Sequence, residues 1–131
     1  MKTDYFLTMN STKTQELTRA ELEIMQILWQ LDKGFVNDIL EAMPTPKPAY
    51  NTVSTIVRIL EKKGFVAHRA YGKSHEYYPL ISRTEYTSSF MTSVVNNFFG
   101  GSIGNMVSFL SRDRGITVSE ADEIIKMLKE K

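Results

Sequence analysis

The segment AYNTVSTIVRILEKKGF, residues 49–65, has the pattern of one amphipathic helix that ends at Lys63-Gly64. Its apolar side chains recur at i, i+3, i+4 and i+7, which places them on a single stripe of the helix. These are Val53, Ile56, Val57 and Leu60. The opposite face is polar or cationic and contains no acid; it comprises Asn51, Ser54, Thr55, Arg58 and Lys62. The spacing therefore predicts a helix that is buried on one side and exposed on the other.

Two shorter helical segments precede this one. Thr18 can cap the first, because Glu21 three residues later completes a capping box and apolar residues then follow at helical spacing. Lys33-Gly34 is expected to end it. The second helix is expected from about Phe35. The stretch PTPKP, residues 44–48, is a linker, because three of its five residues are proline and proline interrupts a helix.

The residues after the quoted helix change from helical to strand character. Two short runs, 65–70 and 74–78, are rich in β-branched or aromatic residues, and a turn containing Gly72 separates them. Three helices followed by a hairpin is the element order of a winged helix, in which helices two and three form the helix-turn-helix and the hairpin is the wing. The predicted fold class is therefore mainly α with a small β-hairpin wing.

Three further helices are expected after Leu80, each with a capping residue at its start: Ser82, Ser102 and Thr117. About fifty residues cannot easily bury so much apolar surface alone. We therefore predict a homodimerisation module; an intramolecular cap on a monomer is the alternative. The predicted dimerisation residues are Tyr86, Phe90, Val94, Phe98, Ile103, Met106, Val107, Leu110, Ile124, Ile125 and Leu128.

The predicted domain organisation has three parts. Residues 1–16 are expected to form a mobile N-terminal arm, residues 17–80 the winged-helix DNA-binding domain, and residues 81–131 a helical dimerisation module. The first residues lack the apolar core of a secretory signal, and no apolar run approaches the roughly 18 residues needed to cross a bilayer. No membrane insertion is expected, and the cytoplasm is the expected location.

The charge of the chain is unevenly distributed. The formal net charge is +1, yet residues 44–75 contain six basic residues and a single acid, Glu61. A basic patch on a nearly neutral protein is typical of a surface that binds a polyanion. On charge alone, an ordinary solvated surface explains the pattern equally well.

The third helix and the wing form the predicted DNA interface. A helix fits the major groove, where short polar side chains can reach base edges while Arg and Lys meet phosphates. Asn51 is suited to an adenine edge and Arg58 to a guanine or a phosphate; Lys63 is also expected to contact a phosphate. Taken singly, the polar residues fit a hydrated helix face; as a set, we interpret them as a reading surface. The predicted DNA-binding residues are Tyr50, Asn51, Thr52, Ser54, Thr55, Arg58, Lys62, Arg69 and Lys73.

Nothing in the sequence indicates catalysis, and no cofactor is predicted. There is no glycine-rich phosphate loop, no HExxH and no G-x-S-x-G. The absence of cysteine excludes disulfides, thiolate metal sites and cysteine nucleophiles. His68 and His75, with Glu76 adjacent, are too few to predict a metal site.

Three stretches resemble the bacterial penicillinase-repressor and methicillin-resistance-repressor family: LTRAELEIMQILWQL (17–31), NTVSTIVRILEKKGFVAHRAYGKSHEYYPL (51–80) and FFGGSIGNMVSFL (98–110). The resemblance covers about residues 15 to 131. The A-E-x-x-x-M-x-x-L-W pattern at 20–29 and K-K-G-F at 62–65 are the most specific parts. It implies a dimeric winged-helix repressor that binds palindromic operators in double-stranded DNA.

The resemblance also implies a mode of induction. In this family a membrane sensor detects a β-lactam, and the repressor is then cut within the dimerisation module by a sensor-linked protease. The matching bond here is Ser108–Phe109, with Ser where those relatives have Asn. The alternative function, from a different class, is a winged-helix module whose third helix binds protein rather than DNA.

Overall fold

The computed structural model describes the backbone of residues 16–129 and the side chains of residues 16–113 and 115–127. Most of the predicted N-terminal arm and the side chain of Leu128 lie outside these residues. The elements are α1 (Arg19–Leu31), α2 (Val36–Ala42), α3 (Tyr50–Lys62), β1 (Val66–Tyr71), β2 (Ser74–Pro79), α4 (Arg83–Phe98), α5 (Ile103–Arg114) and α6 (Val118–Lys129). The predicted order of three helices, a hairpin and three helices is confirmed, and the fold is a winged helix followed by a helical unit.

The chain divides into two compact units, the first running to Arg83 and the second from Thr84. The last residues of the first unit are held by α1: Trp29 Nε1 donates a hydrogen bond of 2.8 Å to the carbonyl oxygen of Ile81. The guanidinium of Arg83 lies 5.7 Å from the centre of the Trp29 ring, a cation–π distance. These two contacts extend the first unit beyond the end of the wing.

The core of the first unit is built from the apolar stripes of its three helices and the base of the wing. Ile24, Met25 and Leu28 of α1 are fully buried, and Ile39 of α2 lies with them. Helix α3 contributes Val53, Val57 and Leu60, each 0% exposed, and β1 contributes Val66. Burial of each such side chain contributes about 1.5–3 kcal/mol to folding. Ile56, predicted on the same stripe of α3, is half-buried.

The start of α1 confirms the predicted capping box, but its end differs from the prediction. Thr18 Oγ1 accepts from the backbone N–H of Glu21 at 3.1 Å, and the Glu21 carboxylate accepts from the Thr18 N–H at 2.9 Å. The helix ends at Leu31, because Asp32 adopts φ 77° and its N–H returns to the Leu28 carbonyl oxygen. Lys33-Gly34 therefore lies beyond the helix.

Gly34 serves the wing instead. Its N–H and carbonyl form paired hydrogen bonds of 2.9 and 2.8 Å with the backbone of Tyr77. This bridge adds a short third segment to the two-stranded antiparallel hairpin, in which Tyr71 lies opposite Ser74 across a Gly72-Lys73 turn. Gly72, at φ 63°, takes the left-handed conformation that this tight turn requires. The wing is thus attached to the loop between α1 and α2.

The second unit consists of α4, α5 and α6. Gly100 and Gly101, at φ 58° and 81°, end α4 as predicted. Ser102 caps α5 by accepting from the Asn105 N–H at 3.0 Å, and Thr117 and Glu120 form the predicted capping box of α6. Among the described side chains of this unit, only Val95 and Met106 are buried hydrophobics. Within residues 16–129, no helix has the length and apolar character that crossing a membrane requires.

Candidate nucleic-acid interface

Helix α3 presents its polar face outward, as its spacing predicts. Because Val53, Val57 and Leu60 are buried, the residues half a turn away are exposed. The exposed members of the predicted site on this helix are Tyr50, Asn51, Thr52, Thr55, Arg58 and Lys62, while Ser54 is half-buried. Ala49, which precedes the helix, has no side-chain acceptor. The Thr52 N–H donates to the Ala49 carbonyl oxygen at 3.1 Å, and the N-terminal end of a helix favours an anion such as a phosphate.

Arg58 and Ser54 are coupled on this face. Arg58 Nη2 donates to Ser54 Oγ over 3.3 Å, one helical turn toward the N-terminus. The guanidinium is thereby directed along the helix toward its leading end. Ser54 acts in this arrangement as the residue that orients Arg58.

The wing carries the other two predicted cations. Arg69, on β1, is exposed and lies directly opposite Glu76 in the hairpin register. Lys73 is exposed in the turn itself. Lys73 therefore lies at the tip of the wing, whereas Arg69 has an acidic cross-strand neighbour.

Lys63 forms an ion pair within the winged helix. Its Nζ contacts both carboxylate oxygens of Glu21, at 3.0 and 2.9 Å, so it joins the end of α3 to the start of α1. Burial opposes ionisation of Glu21, but the hydrogen bond from the Thr18 backbone and the ion pair with Lys63 outweigh it and lower the pKa of the carboxyl. Lys63 is thus engaged within the fold, and its expected contact with a phosphate would compete with this ion pair.

Lys47 is likewise engaged within the chain. Its Nζ donates to the carbonyl oxygens of Leu40, Glu41 and Met43 at the end of α2. A cation in this position satisfies carbonyls that the helix leaves unpaired and interacts favourably with the helix dipole. Two of the six cations in the basic segment, Lys47 and Lys63, therefore stabilise the winged helix itself.

A contact that the sequence did not reveal joins α3 to the wing. Glu61 Oε2, near the end of α3, lies 2.7 Å from His68 Nδ1 on β1. The His68 ring stacks on that of His75, with centroids 4.0 Å apart, and Tyr77 packs against both rings. Burial raises the pKa of the Tyr77 hydroxyl, and the Glu61 carboxylate adds to this effect. We refer to Glu61, His68 and His75 as the helix–wing clasp.

The clasp is not arranged as a metal site. Within the part of the chain that the structure describes, no three His, Cys, Asp or Glu side chains are grouped so that they could hold a metal ion. The one signal of the clasp in the sequence is the placement of an acid and a histidine seven residues apart on either side of Gly64. That spacing is too common in proteins to predict the contact from the sequence alone.

In the second unit, the predicted dimerisation residues differ widely in exposure. Met106 is 3% exposed within a single chain, whereas Phe98 is 76% exposed. Phe90 is also exposed, and the other described members are half-buried: Tyr86, Val94, Ile103, Val107, Leu110, Ile124 and Ile125. An open apolar groove of about 580 Å³, here named the α4–α5 groove, is lined by residues that include Met91, Val94, Phe98, Phe109 and Leu110.

The bond predicted to be cut lies in the middle of α5. Ser108 and Phe109 are both exposed, and the Phe109 ring packs against that of Phe99 with centroids 5.6 Å apart. Met106, two residues before the bond, is buried. A cut at this bond would therefore divide a helix that contributes directly to the small core of this unit.

Comparison with known proteins gives concordant results. Residues 17–130 match the family model described as penicillinase repressor. The chain is 29% identical over 120 residues to the penicillinase repressor of Bacillus licheniformis, which covers 90% of this chain and 93% of that protein. It is 26% identical over 120 residues to the methicillin resistance regulatory protein MecI of Staphylococcus aureus (strain N315), covering 91% and 98%.

Among solved structures, a similar chain is the DNA-binding domain of the repressor BlaI, determined in solution. The identity is 28%, and the alignment covers 54% of this chain and 88% of that one with a TM-score of 0.48.

Proposed function

Because the chain belongs to the penicillinase repressor family, a family of DNA-binding repressors, we propose that it is a sequence-specific transcriptional repressor that binds a palindromic operator as a homodimer. The observation that carries this proposal is the outward, acid-free face of α3, on which Asn51, Thr55 and Arg58 are exposed beside one another. Such a face has the donors, acceptors and charge that a major groove requires.

In the proposed complex, α3 lies in the major groove and the wing approaches the flanking backbone. Asn51, in the first turn, pairs with an adenine edge, and Arg58 with a guanine or a phosphate. Lys62, Arg69 and Lys73 contact phosphates, and the N-terminus of α3 supplies further N–H donors. These phosphate contacts position the protein, while the side chains in the groove select the sequence.

The second unit is proposed to pair two copies of the chain. Phe98 is 76% exposed, and the α4–α5 groove that it lines is open and bounded mainly by apolar side chains. Contiguous exposed apolar surface is typical of association sites. A second copy offers the same surfaces, and a two-fold pair matches a palindromic site. Each head then binds at the high effective concentration set by the other, which strengthens operator binding without new contacts.

Relief of repression is proposed to follow cleavage of Ser108–Phe109 by a sensor-linked protease, in response to a β-lactam or a related signal. Breaking α5 there separates Phe109 and Leu110 from the buried Met106. The loss of this packing weakens pairing, and single heads lose the avidity of the dimer. Proteolysis would thus release DNA without altering the winged helix.

The test of DNA binding is the double substitution Arg58→Ala with Lys62→Ala. Its matched control is Arg112→Ala with Lys126→Ala, which removes the same charge from exposed positions of the second unit. The duplex carries the promoter of the gene adjacent to the gene that encodes this protein, and binding is measured by mobility shift. We expect Arg58→Ala with Lys62→Ala to abolish binding, and the control variant to bind as wild type. Unchanged binding by both pairs would contradict the proposal and favour the alternative, that this face binds protein.

A further inference from the structure

Helix α3 carries an exposed isoleucine on the face proposed to enter the groove. Ile59 is 40% exposed, although the apolar stripe of this helix lies on its other side. Thr55 precedes it by four residues and Thr52 by seven, so the three side chains are neighbours along one border of the helix. Both threonines are exposed. We call Thr52, Thr55 and Ile59 the methyl edge, because each carries a methyl group at an exposed position.

The cations of α3 leave this border uncovered. Arg58 is drawn back toward Ser54 by their 3.3 Å hydrogen bond, and at 100° per residue Ser54 lies on the opposite border of the exposed face. Lys62, three residues after Ile59, is long enough to carry its charge to the flanking backbone. The methyl edge is therefore bordered by positive charge and carries methyl groups from all three of its side chains. Such a surface is suited to an apolar group carried by a polyanion.

Double-stranded DNA has one such group in its major groove, the C5-methyl of thymine. We propose that the methyl edge reads thymine, and that Ile59 makes the main contact with a thymine methyl group. This inference rests on the proposed function, since it requires α3 to lie in the major groove. It assigns base selection to Ile59, which is not among the DNA-binding residues predicted from the sequence.

The geometry of the helix limits where the thymines lie. Ile59 follows Thr52 by seven residues, which at 1.5 Å per residue is about 10 Å along the axis. Successive bases are about 3.4 Å apart along one strand. The thymines read by the two ends of the methyl edge are therefore at most about three base steps apart in each half-site.

Replacement of thymine by uracil tests this directly, because it deletes the methyl group and leaves base pairing intact. A duplex is first selected from a randomised library by the full-length wild-type protein, and each thymine is then replaced singly. We expect at least one uracil substitution per half-site to weaken wild-type binding about fourfold, the effect of one buried methyl-sized group. With Ile59→Ala, that position should become indifferent to uracil.

Two further variants make the result decisive. Ile59→Val keeps part of the apolar contact and should keep part of the sensitivity to uracil. Leu31→Ala removes an equally exposed apolar side chain, also 40% exposed, from the end of α1, and should behave as wild type. Thermal unfolding checks that Ile59→Ala, a change to a strong helix former at an exposed site, remains folded.

The outcomes separate this inference from the proposal beneath it. Enrichment of no duplex at all would overturn sequence-specific DNA binding, and the inference with it. A selected duplex whose uracil forms bind wild type unchanged would overturn the inference alone. So would equal sensitivity to uracil in wild type and Ile59→Ala.

Discussion

The two units of this chain bury their apolar side chains to very different degrees. In the winged helix, α1, α2 and α3 place residues such as Ile24, Ile39 and Val57 at 0% exposure. In the second unit, Phe98 and Val118 are 76% and 79% exposed. The first unit buries the apolar stripes of its three helices against one another and displays polar and charged groups on the outer face of α3. The second unit leaves more of its large apolar side chains exposed, which fits its proposed role in association.

Removal of residues 109–131 should have the largest effect of any change considered, because it divides α5 and removes α6. We expect duplex affinity to fall by about 10²–10⁴-fold, the avidity that a second head supplies, and the mass in sedimentation to fall from dimer to monomer. The circular dichroism signal of the winged helix should persist. If mass and affinity both stay unchanged, the division of labour between the units is wrong.

Core truncation should distinguish stability from association. Leu28→Ala removes a fully buried side chain of α1 and should lower the free energy of unfolding by about 2–5 kcal/mol, measured by urea denaturation. Phe98→Ser, at a mostly exposed position, should leave the unfolding of an isolated copy nearly unchanged and instead raise the dimer dissociation constant. A reversed result would show that the second unit, not the first, is the self-sufficient one.

The adjacent lysines Lys62 and Lys63 should have separate effects. Lys63→Ala leaves the buried Glu21 carboxylate without its ion pair and should lower the free energy of unfolding by about 1–3 kcal/mol. Lys62→Ala, at an exposed site, should leave stability within about 0.5 kcal/mol but weaken duplex binding. Equal effects of the two substitutions on both measurements would contradict the assignment.

The same ion pair predicts a pH dependence of stability. The pKa of Glu21 is lower in the folded chain, so its contribution is fully present above the pKa of the unfolded state and is lost as the pH falls through the folded value. Urea denaturation between pH 7 and pH 3 should therefore show a steeper loss of stability in wild type than in Glu21→Gln. Parallel curves would show that the pair does not act through ionisation.

The smallest predicted effect concerns the wing tip. If Arg58, Lys62, Arg69 and Lys73 each contact a phosphate, log affinity should fall with log salt at a slope of about −3.6 for each head. Lys73→Ala should reduce the magnitude of that slope by about 0.9 for each head, with Lys33→Ala, another exposed lysine of the first unit, as its control. A slope that Lys73→Ala leaves unchanged would remove the wing tip from the interface.

Local pattern was sufficient to predict most of the fold. The two faces of α3, the capping boxes at Thr18 and Thr117 and the turn at Gly72 depend on residues within one helical turn or one hairpin. The end of α1 was misplaced because Asp32, rather than glycine, adopts the positive φ. Gly34 has the sequence signature of a helix stop, and its pairing with Tyr77 is visible only in the folded chain.

The candidate site was less predictable, because its chemistry depends on distant partners. Lys62 and Lys63 are indistinguishable by composition, and only the position of Glu21, 42 residues away, separates them. The apolar spacing of α5 did not show that Met106 would be covered within one chain. The sequence shows Glu61 only as the single acid of a basic segment. In the fold, its carboxylate contacts His68 and so joins α3 to the wing.

The helix–wing clasp has a consequence for the thermodynamics of binding. Glu61 and His68 join the end of α3 to β1, and Gly34 pairs with β2 through Tyr77. These contacts restrain the wing relative to α3, the two elements proposed to touch DNA. Preorganisation of this kind means that the conformational entropy of ordering the wing is lost during folding rather than at the encounter. A contact at the tip then requires ordering of the Lys73 side chain but little further ordering of the backbone.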